Sequence, residues 1–270
     1  MNFQGKKVLV AGGAGLIGTP LHKMLVEEED AEVTVVSLDN RMRVHPKARF
    51  LQLDLMSYPN CLIACGGMDF VFNLLCLKGS PRAIREKPAT FFDANIYLDL
   101  NLLRAAARCG VRGFLLASSL AVYPPAEVFF EDDAVNEKLP SKNDRFAGLA
   151  KLAGEIQAQA YMIEHGLTIS IVRPANTYGP YDDFDSEKAM VVPSFIKRAV
   201  GGENPFRGRG DGSAVRDVIF SEDVARGMIH VAKCEEVRPV NLGSGIGYTT
   251  KELAEAVVDT LENPSEIVWD

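Results

Sequence analysis

Apolar residues in this chain fall into short continuous runs, and between the runs lie stretches with helical spacing. Val8–Ala11 is the first run and reads as a buried strand. It leads into Gly12, Gly15 and Gly18, and a helix is expected from Leu16 onward. Val33–Leu38 and Phe50–Leu55 read as the second and third strands, and Met68–Leu75 as the fourth. Long amphipathic helices are predicted over 91–109, stopped by Gly110, and over 147–165, closed by Gly166. Gly113–Ser119 and Thr168–Val172 read as the fifth and sixth strands. Continuous apolar strands alternating with helices predict an α/β protein built on a doubly wound parallel sheet.

Beyond residue 180 the rhythm loosens. A short helix is expected at Met190–Ala199, a glycine-rich basic stretch at Phe206–Ser213 and a strand at Arg216–Phe220. Ser221 reads as the cap of a helix running to Cys234, with Asp223 in its first turn. Val240–Ser244 reads as a further strand. Thr249 opens a helix to Leu261, with Glu252 spaced for a capping box. The expected division is 1–180, a dinucleotide-binding domain with a Pro-rich loop at 124–146, and 181–270, a smaller substrate lobe interleaved with it. No internal repeat or low-complexity segment interrupts this order.

The first βαβ unit carries the clearest chemistry. One glycine permits the tight turn, one lets backbone approach a pyrophosphate, and one lets helix and strand pack closely. The helix N-terminus offers free N–H groups to phosphate. Asp39, at the tip of the second strand, can accept from both adenosine ribose hydroxyls and repels a 2′-phosphate, which favours NAD. Asn40 and Arg41 follow it, with Arg43 close behind. This makes the sheet Rossmann-type. Asp54, followed by Leu55, stands at the third strand's tip and is read either as an acceptor for the adenine amino group or as a solvated strand end. Asp39, Asp54, Asn73, Ser119 and Asn176 all fall at strand C-termini, where such sheets bind ligands.

Composition narrows the partners. The 29 Lys and Arg against 36 Asp and Glu leave a net charge of −7, with no basic stripe, so neither nucleic acid nor a membrane surface is expected. Five cysteines form no disulfide framework, and Cys61-x-x-x-Cys65 lacks a second ligand pair, so no metal site is expected. That usage fits a reducing cytoplasm. The N-terminus shows no signal-peptide architecture. The four histidines are read as structural or surface residues.

Taken together, these motifs resemble a known family: Gly12–Gly18, Asp39-Asn40, Asp54-Leu55, Ser118–Tyr123, Lys151–Glu155, Arg173–Pro180, Arg216-Asp217 and Asn241–Gly245. The chain is similar throughout to the extended short-chain dehydrogenases/reductases of the NAD-dependent sugar epimerase/dehydratase type, which include UDP-galactose 4-epimerase and GDP-fucose synthase. The resemblance implies NAD as cofactor and a nucleoside-diphosphate sugar as substrate. The activity implied is epimerase, dehydratase or 4-keto-reductase, by transient hydride transfer. It implies cofactor contacts from Gly12, Gly15, Leu16, Ile17, Gly18, Asp39, Asn40, Arg41, Asp54, Leu55, Leu74, Leu75, Lys151 and Pro174. Substrate contacts would come from Lys78, Ser119, Asn176, Arg207, Arg209 and Arg216. It further implies a homodimer through helices 91–109 and 147–165.

In this family a tyrosine four residues before the lysine is the acid–base group, and a serine on the fifth strand orients the sugar oxygen. Ser119 and Lys151 match the serine and lysine. Ala147 stands at the tyrosine position, and Ala cannot transfer a proton. Leu120 and Met190 stand where GDP-fucose synthases carry a cysteine and a histidine. Tyr123 and Tyr178 are candidates for a substitute phenol. Three readings stay open: a weakened enzyme, an idle NAD or sugar-nucleotide binder, and an engineered Tyr→Ala variant. The chain ends at Asp270, before an arginine-bearing segment usual in the family, so the lobe is expected to be cut or short.

Overall fold

A computed structural model describes every residue except Asn40, Ser80, Asn263 and the segments 136–138, 142–144 and 186–188. The first half of the chain gives β1 (Lys7–Ala11), α1 (Gly18–Glu27), β2 (Glu32–Val36), β3 (Arg49–Leu51), α2 (Tyr58–Cys65) and β4 (Phe70–Asn73). The helices α3 (Pro81–Glu86) and α4 (Pro88–Arg108) lead to β5 (Gly113–Ala117), α5 (Arg145–His165) and β6 (Thr168–Pro174). The remainder supplies β7 (Asn176–Tyr178), α6 (Val191–Val200), β8 (Phe206–Gly208), β9 (Val215–Phe220) and α7 (Ser221–Cys234). It closes with β10 (Val240–Leu242), β11 (Gly247–Thr249), α8 (Thr250–Val258) and β12 (Ile267–Trp269).

Seven strands form one parallel sheet in the order β10-β6-β5-β4-β1-β2-β3. Alternate residues of each strand face opposite sides, and the apolar runs fill both. Val8 and Val10 join Phe70, Phe72, Leu115 and Val172 on one side, under Leu21 and Leu25 of α1 and Val224 and Met228 of α7. Leu9 and Ala11 join Val71, Leu116 and Ile171 on the other, under Cys61 and Cys65 of α2 and Leu102 and Ala106 of α4. This two-sided burial is why the strands read as unbroken apolar runs. It also silences the thiols of α2: burial pushes Cys61 up to about 12, and Cys65 higher still.

The switch in strand order falls between β1 and β4, so chain leaving β1 and chain leaving β4 bound one crevice. β10 extends the sheet beyond β6, and α7 packs beside α1, so residues past 180 contribute to the main body. A separate apolar cluster of Phe195, Phe206, Ala254 and Val258, with Trp269 against it, holds the C-terminal elements together.

Several expected boundaries shift. The first helix starts at Gly18 rather than Leu16, because the turn around Gly15 occupies the intervening residues. The third strand stops at Leu51, because an edge strand pairs only as far as β2 extends, at Val36. Asp54 therefore sits in a turn, where its Oδ1 accepts the Met56 N–H at 2.9 Å. Ser221 is not the cap of α7. Phe220 remains extended as the last residue of β9, and Ser221 is already helical and fully buried, its Oγ without a partner. Thr249 and Glu252 do form the capping box, and α8 ends at Val258.

Candidate functional site

The glycine turn defines the crevice floor. Gly12 adopts φ +79°, and a Cβ there would come within 3.1 Å of the Leu74 carbonyl oxygen. A Cβ on Gly18 would lie 2.3 Å from the Gly12 carbonyl oxygen, so only glycine lets α1 start this close to the turn. At Gly15 a Cβ would meet only the Gly12 carbonyl, at 3.3 Å. The turn is tight on its protein side and open on the other, a cradle into which a pyrophosphate fits. His22 locks it from behind. Its Nδ1–H lies 2.9 Å from the Gly13 carbonyl and 2.8 Å from that of Gly18, while its Nε2 accepts the His45 N–H at 3.0 Å. That pattern requires a neutral ring, and burial lowers the imidazole's proton affinity accordingly.

Asp39 is exposed just beyond β2, its backbone N–H and carboxylate both bonded to the Ser37 hydroxyl at 3.1 Å. Arg41 is exposed in the following turn. Asn40 lies outside the described residues. Leu16 is buried, Ile17 half-buried, Leu55 and Pro174 are buried, and Leu74 and Leu75 are half-buried beside the turn. Leu55 packs its side chain into the core.

Lys151 sits on α5, one helical turn after Ala147, and its side chain is only 8 % exposed. Its ammonium donates to the Leu75 carbonyl at 3.1 Å and to Asp99 Oδ2 at 3.2 Å. Burial works against the charge, and Asp99 outweighs it, raising the lysine above its ordinary value. Burial in turn pushes Asp99 up, opposed by Lys151 and by the Asn73 amide, which donates to Oδ1 at 2.8 Å. Asp99 and Asn95 were not singled out from the sequence. The available signal was two polar residues four apart, on the α4 stripe shared with Phe91 and Leu102. Asn95 accepts the Leu77 N–H and donates to the Leu77 carbonyl, fixing the chain after β4.

Ser119 follows β5, and its Oγ accepts the Ala121 N–H at 3.1 Å, a bond that leaves the hydroxyl proton uncommitted. Ala147 is half-buried at the start of α5. Helix α5 is seated tightly on the 120–122 turn, since a Cβ on Gly148 would reach 2.0 Å from the Ala121 carbonyl. Tyr123 is not a spare phenol. Its oxygen accepts from Arg173 at 2.7 Å, its proton goes to Asn241 Oδ1 at 2.7 Å, and burial raises its proton affinity. It belongs to a buried structural network in which Arg173 forks onto Glu155 at 2.9 and 2.6 Å. Ser118 completes that network by donating to Glu155. Tyr178 packs against Phe220.

The expected substrate contacts divide. Asn176 and Arg216 lie on one three-stranded sheet, β11-β9-β7, where the Asn176 amide donates to the Asp217 carbonyl at 2.9 Å. Arg216 is exposed and bonds the Val215 carbonyl next to it in sequence. Arg207 and Arg209 are placed elsewhere, on and just after β8, and Arg207 lies 3.6 Å from Asp270. Lys78 is exposed after β4, close enough to Asp182 to counter the rise that burial imposes on that carboxyl.

The sequence pattern of the NAD dependent epimerase/dehydratase family matches residues 8–243, which spans the glycine turn, the crevice and β10. The chain belongs to this family. Among curated relatives, a probable GDP-L-fucose synthase 1 of Oryza sativa subsp. japonica is 32% identical, over 99% of this chain and 80% of its own length. Among solved structures, a UDP-glucose 4-epimerase of Thermotoga maritima, determined with UDP-glucose, superposes with a TM-score of 0.85. It is 26% identical, with 98% of this chain and 85% of that one covered. A dTDP-glucose 4,6-dehydratase of Streptomyces venezuelae, solved with NAD bound, superposes with a TM-score of 0.82 at 25% identity, covering 98% of this chain and 84% of its own. NAD is the family's cofactor, and the glycine cradle with Asp39 beside it fits that molecule.

Proposed function

We propose that this family member passes hydride between NAD and a nucleoside-diphosphate sugar, with a weakened acid–base step. It either oxidises and re-reduces the sugar, as an epimerase or dehydratase, or reduces a keto sugar at the expense of NADH, as a keto-reductase. The observation that carries the reading is the constellation of glycine cradle, Ser119 and Lys151 at the carboxyl ends of one parallel sheet. NAD supplies the hydride acceptor there. The cradle takes the pyrophosphate, and Gly12, Gly15, Leu16, Ile17, Gly18, Asp39, Arg41, Asp54, Leu55, Leu74, Leu75 and Pro174 are its proposed surroundings. Ser119 orients the sugar oxygen through its free hydroxyl proton. Lys151 grips the ribose, and because its ammonium is held charged it is not the base. With Ala at 147 the hydroxyl proton leaves to a water in the space a phenol would fill. Asn176, Arg207, Arg209 and Arg216 are the proposed diphosphate contacts and Lys78 a further substrate contact. The three arginines belong to residues 181–270, proposed as a smaller substrate lobe interleaved with the main body.

A nucleotide sugar that binds only the folded protein raises its melting temperature. A panel of UDP-, GDP- and dTDP-sugars, added to NAD-loaded protein, should contain at least one that does so. Arg216→Ala should shrink that shift. A flat response across the panel contradicts the substrate class.

Assembly belongs to the same reading. The outward faces of α4 and α5 expose Tyr97, Ile156 and Ile163, and paired against a second copy they would form a four-helix interface. Light scattering should give about twice the monomer mass, and a strict monomer at high concentration contradicts the pairing. Five free thiols suit a reducing cytoplasm.

A further inference from the structure

The buried charge pair behind the crevice does more than balance Lys151. Four bonds close a ring. The Lys151 ammonium donates to the Leu75 carbonyl and to Asp99 Oδ2, the Asn73 amide donates to Asp99 Oδ1, and the Leu75 N–H donates to Asn73 Oδ1 at 3.1 Å. The ring ties α5 and α4 to the chain leaving β4. It also sets Leu74, whose carbonyl faces the glycine turn at Gly12. Gly154 makes room for it, since a Cβ there would lie 3.0 Å from Asp99 Oδ2. Asp99 and Lys151 are both nearly inaccessible, at 3 and 8 % side-chain exposure. An ammonium so buried needs a partner that stays with it. With no phenol at 147, that partner is Asp99.

We propose that Asp99 is a positioning residue for the nicotinamide half of the cofactor: its carboxylate holds the Lys151 ammonium against the Leu75 carbonyl and leaves the third N–H for the ribose. Two of the three ammonium N–H groups are committed within the ring, and the carboxylate is anchored in turn by Asn73. The adenine half of the crevice, at Asp39, lies across the sheet beyond β1 and takes no part in the ring. The proposal rests on the NAD reading of this site.

The test is a comparison of two ligands by calorimetry. NAD carries the nicotinamide ribose and ADP lacks it. Asp99→Asn keeps the shape and removes the charge. It should weaken NAD at least tenfold, about 1.4 kcal/mol, while ADP binds as in the wild type. Gly154→Ala is the second variant. It keeps every charge, favours the helix and crowds Asp99 Oδ2, so it should reproduce the selective loss of NAD even where Asp99→Asn fails to fold. Equal weakening of NAD and ADP assigns Asp99 a purely structural role and overturns the proposal, as does undiminished NAD binding. A wild type that binds ADP but not NAD overturns the NAD reading of the nicotinamide half itself.

Discussion

Replacing Ala147 by tyrosine should raise the rate of sugar oxidation by about 10²-fold or more, since a positioned general base contributes on the order of 10²–10⁴. The substitution places a phenol one helical turn before Lys151, on the same face of α5. Ala147 is half-buried, so the new ring has somewhere to go. Single-turnover rates of both proteins, with a sugar nucleotide identified by thermal shift, decide the point. Equal and rapid turnover would mean that another residue is the base. Two inactive proteins that still bind NAD and sugar nucleotide would favour the idle binder. One structural feature tempers the gain: Lys151, the cation one helical turn from the new phenol on α5, is already paired with Asp99, so less of its charge is left to favour the phenolate.

Gly18→Ala should be the most damaging single methyl in the proposed nucleotide site. The new Cβ would sit 2.3 Å from the Gly12 carbonyl oxygen and 2.6 Å from Gly13 Cα, both backbone atoms of the turn. Neither can give way without moving β1 or α1. Overpacking of this kind costs about 3 kcal/mol, a fall in melting temperature on the order of 5–10 °C. NAD binding should drop below detection, because the displaced turn is the proposed phosphate cradle. Gly66→Ala provides the contrast. That residue has ordinary backbone angles, and the nearest atom to its Cβ is 3.4 Å away, so stability should change by no more than about 0.5 kcal/mol. Thermal melts and calorimetry of both variants check this, and a stable Gly18→Ala protein that binds NAD would contradict it.

Much of this was legible in the sequence for a physical reason. Parallel strands buried on both faces must be apolar throughout, and Gly12 and Gly18 leave no room for a side chain, so both leave local marks. The first six strands of the sheet and the crevice at their carboxyl ends could be read from those marks, whereas Ser119 and Lys151 rest on the family resemblance and the strand order on the structure. Contacts between distant segments left none. Tyr123 looked like a spare phenol because its satisfying partners, Arg173 and Asn241, lie 50 and 118 residues away. Asp99 meets Lys151 across 52 residues, and a lone acid on an amphipathic helix announces nothing until its partner is placed. Ser221 followed a capping rule that assumes a loop before the helix, whereas β9 runs directly into α7. The short helix α2 went unseen because eight residues carry too little periodicity to stand out.

The central claim is that this crevice passes hydride between a nucleotide sugar and NAD. Its most direct test is NADH absorbance in a single turnover. NAD-loaded wild-type protein would be mixed with each GDP-, UDP- and dTDP-sugar that shifts its melting temperature. The account predicts a slow rise in NADH with at least one of them, made faster by Ala147→Tyr. No NADH from any of these sugars, in either protein, would contradict it.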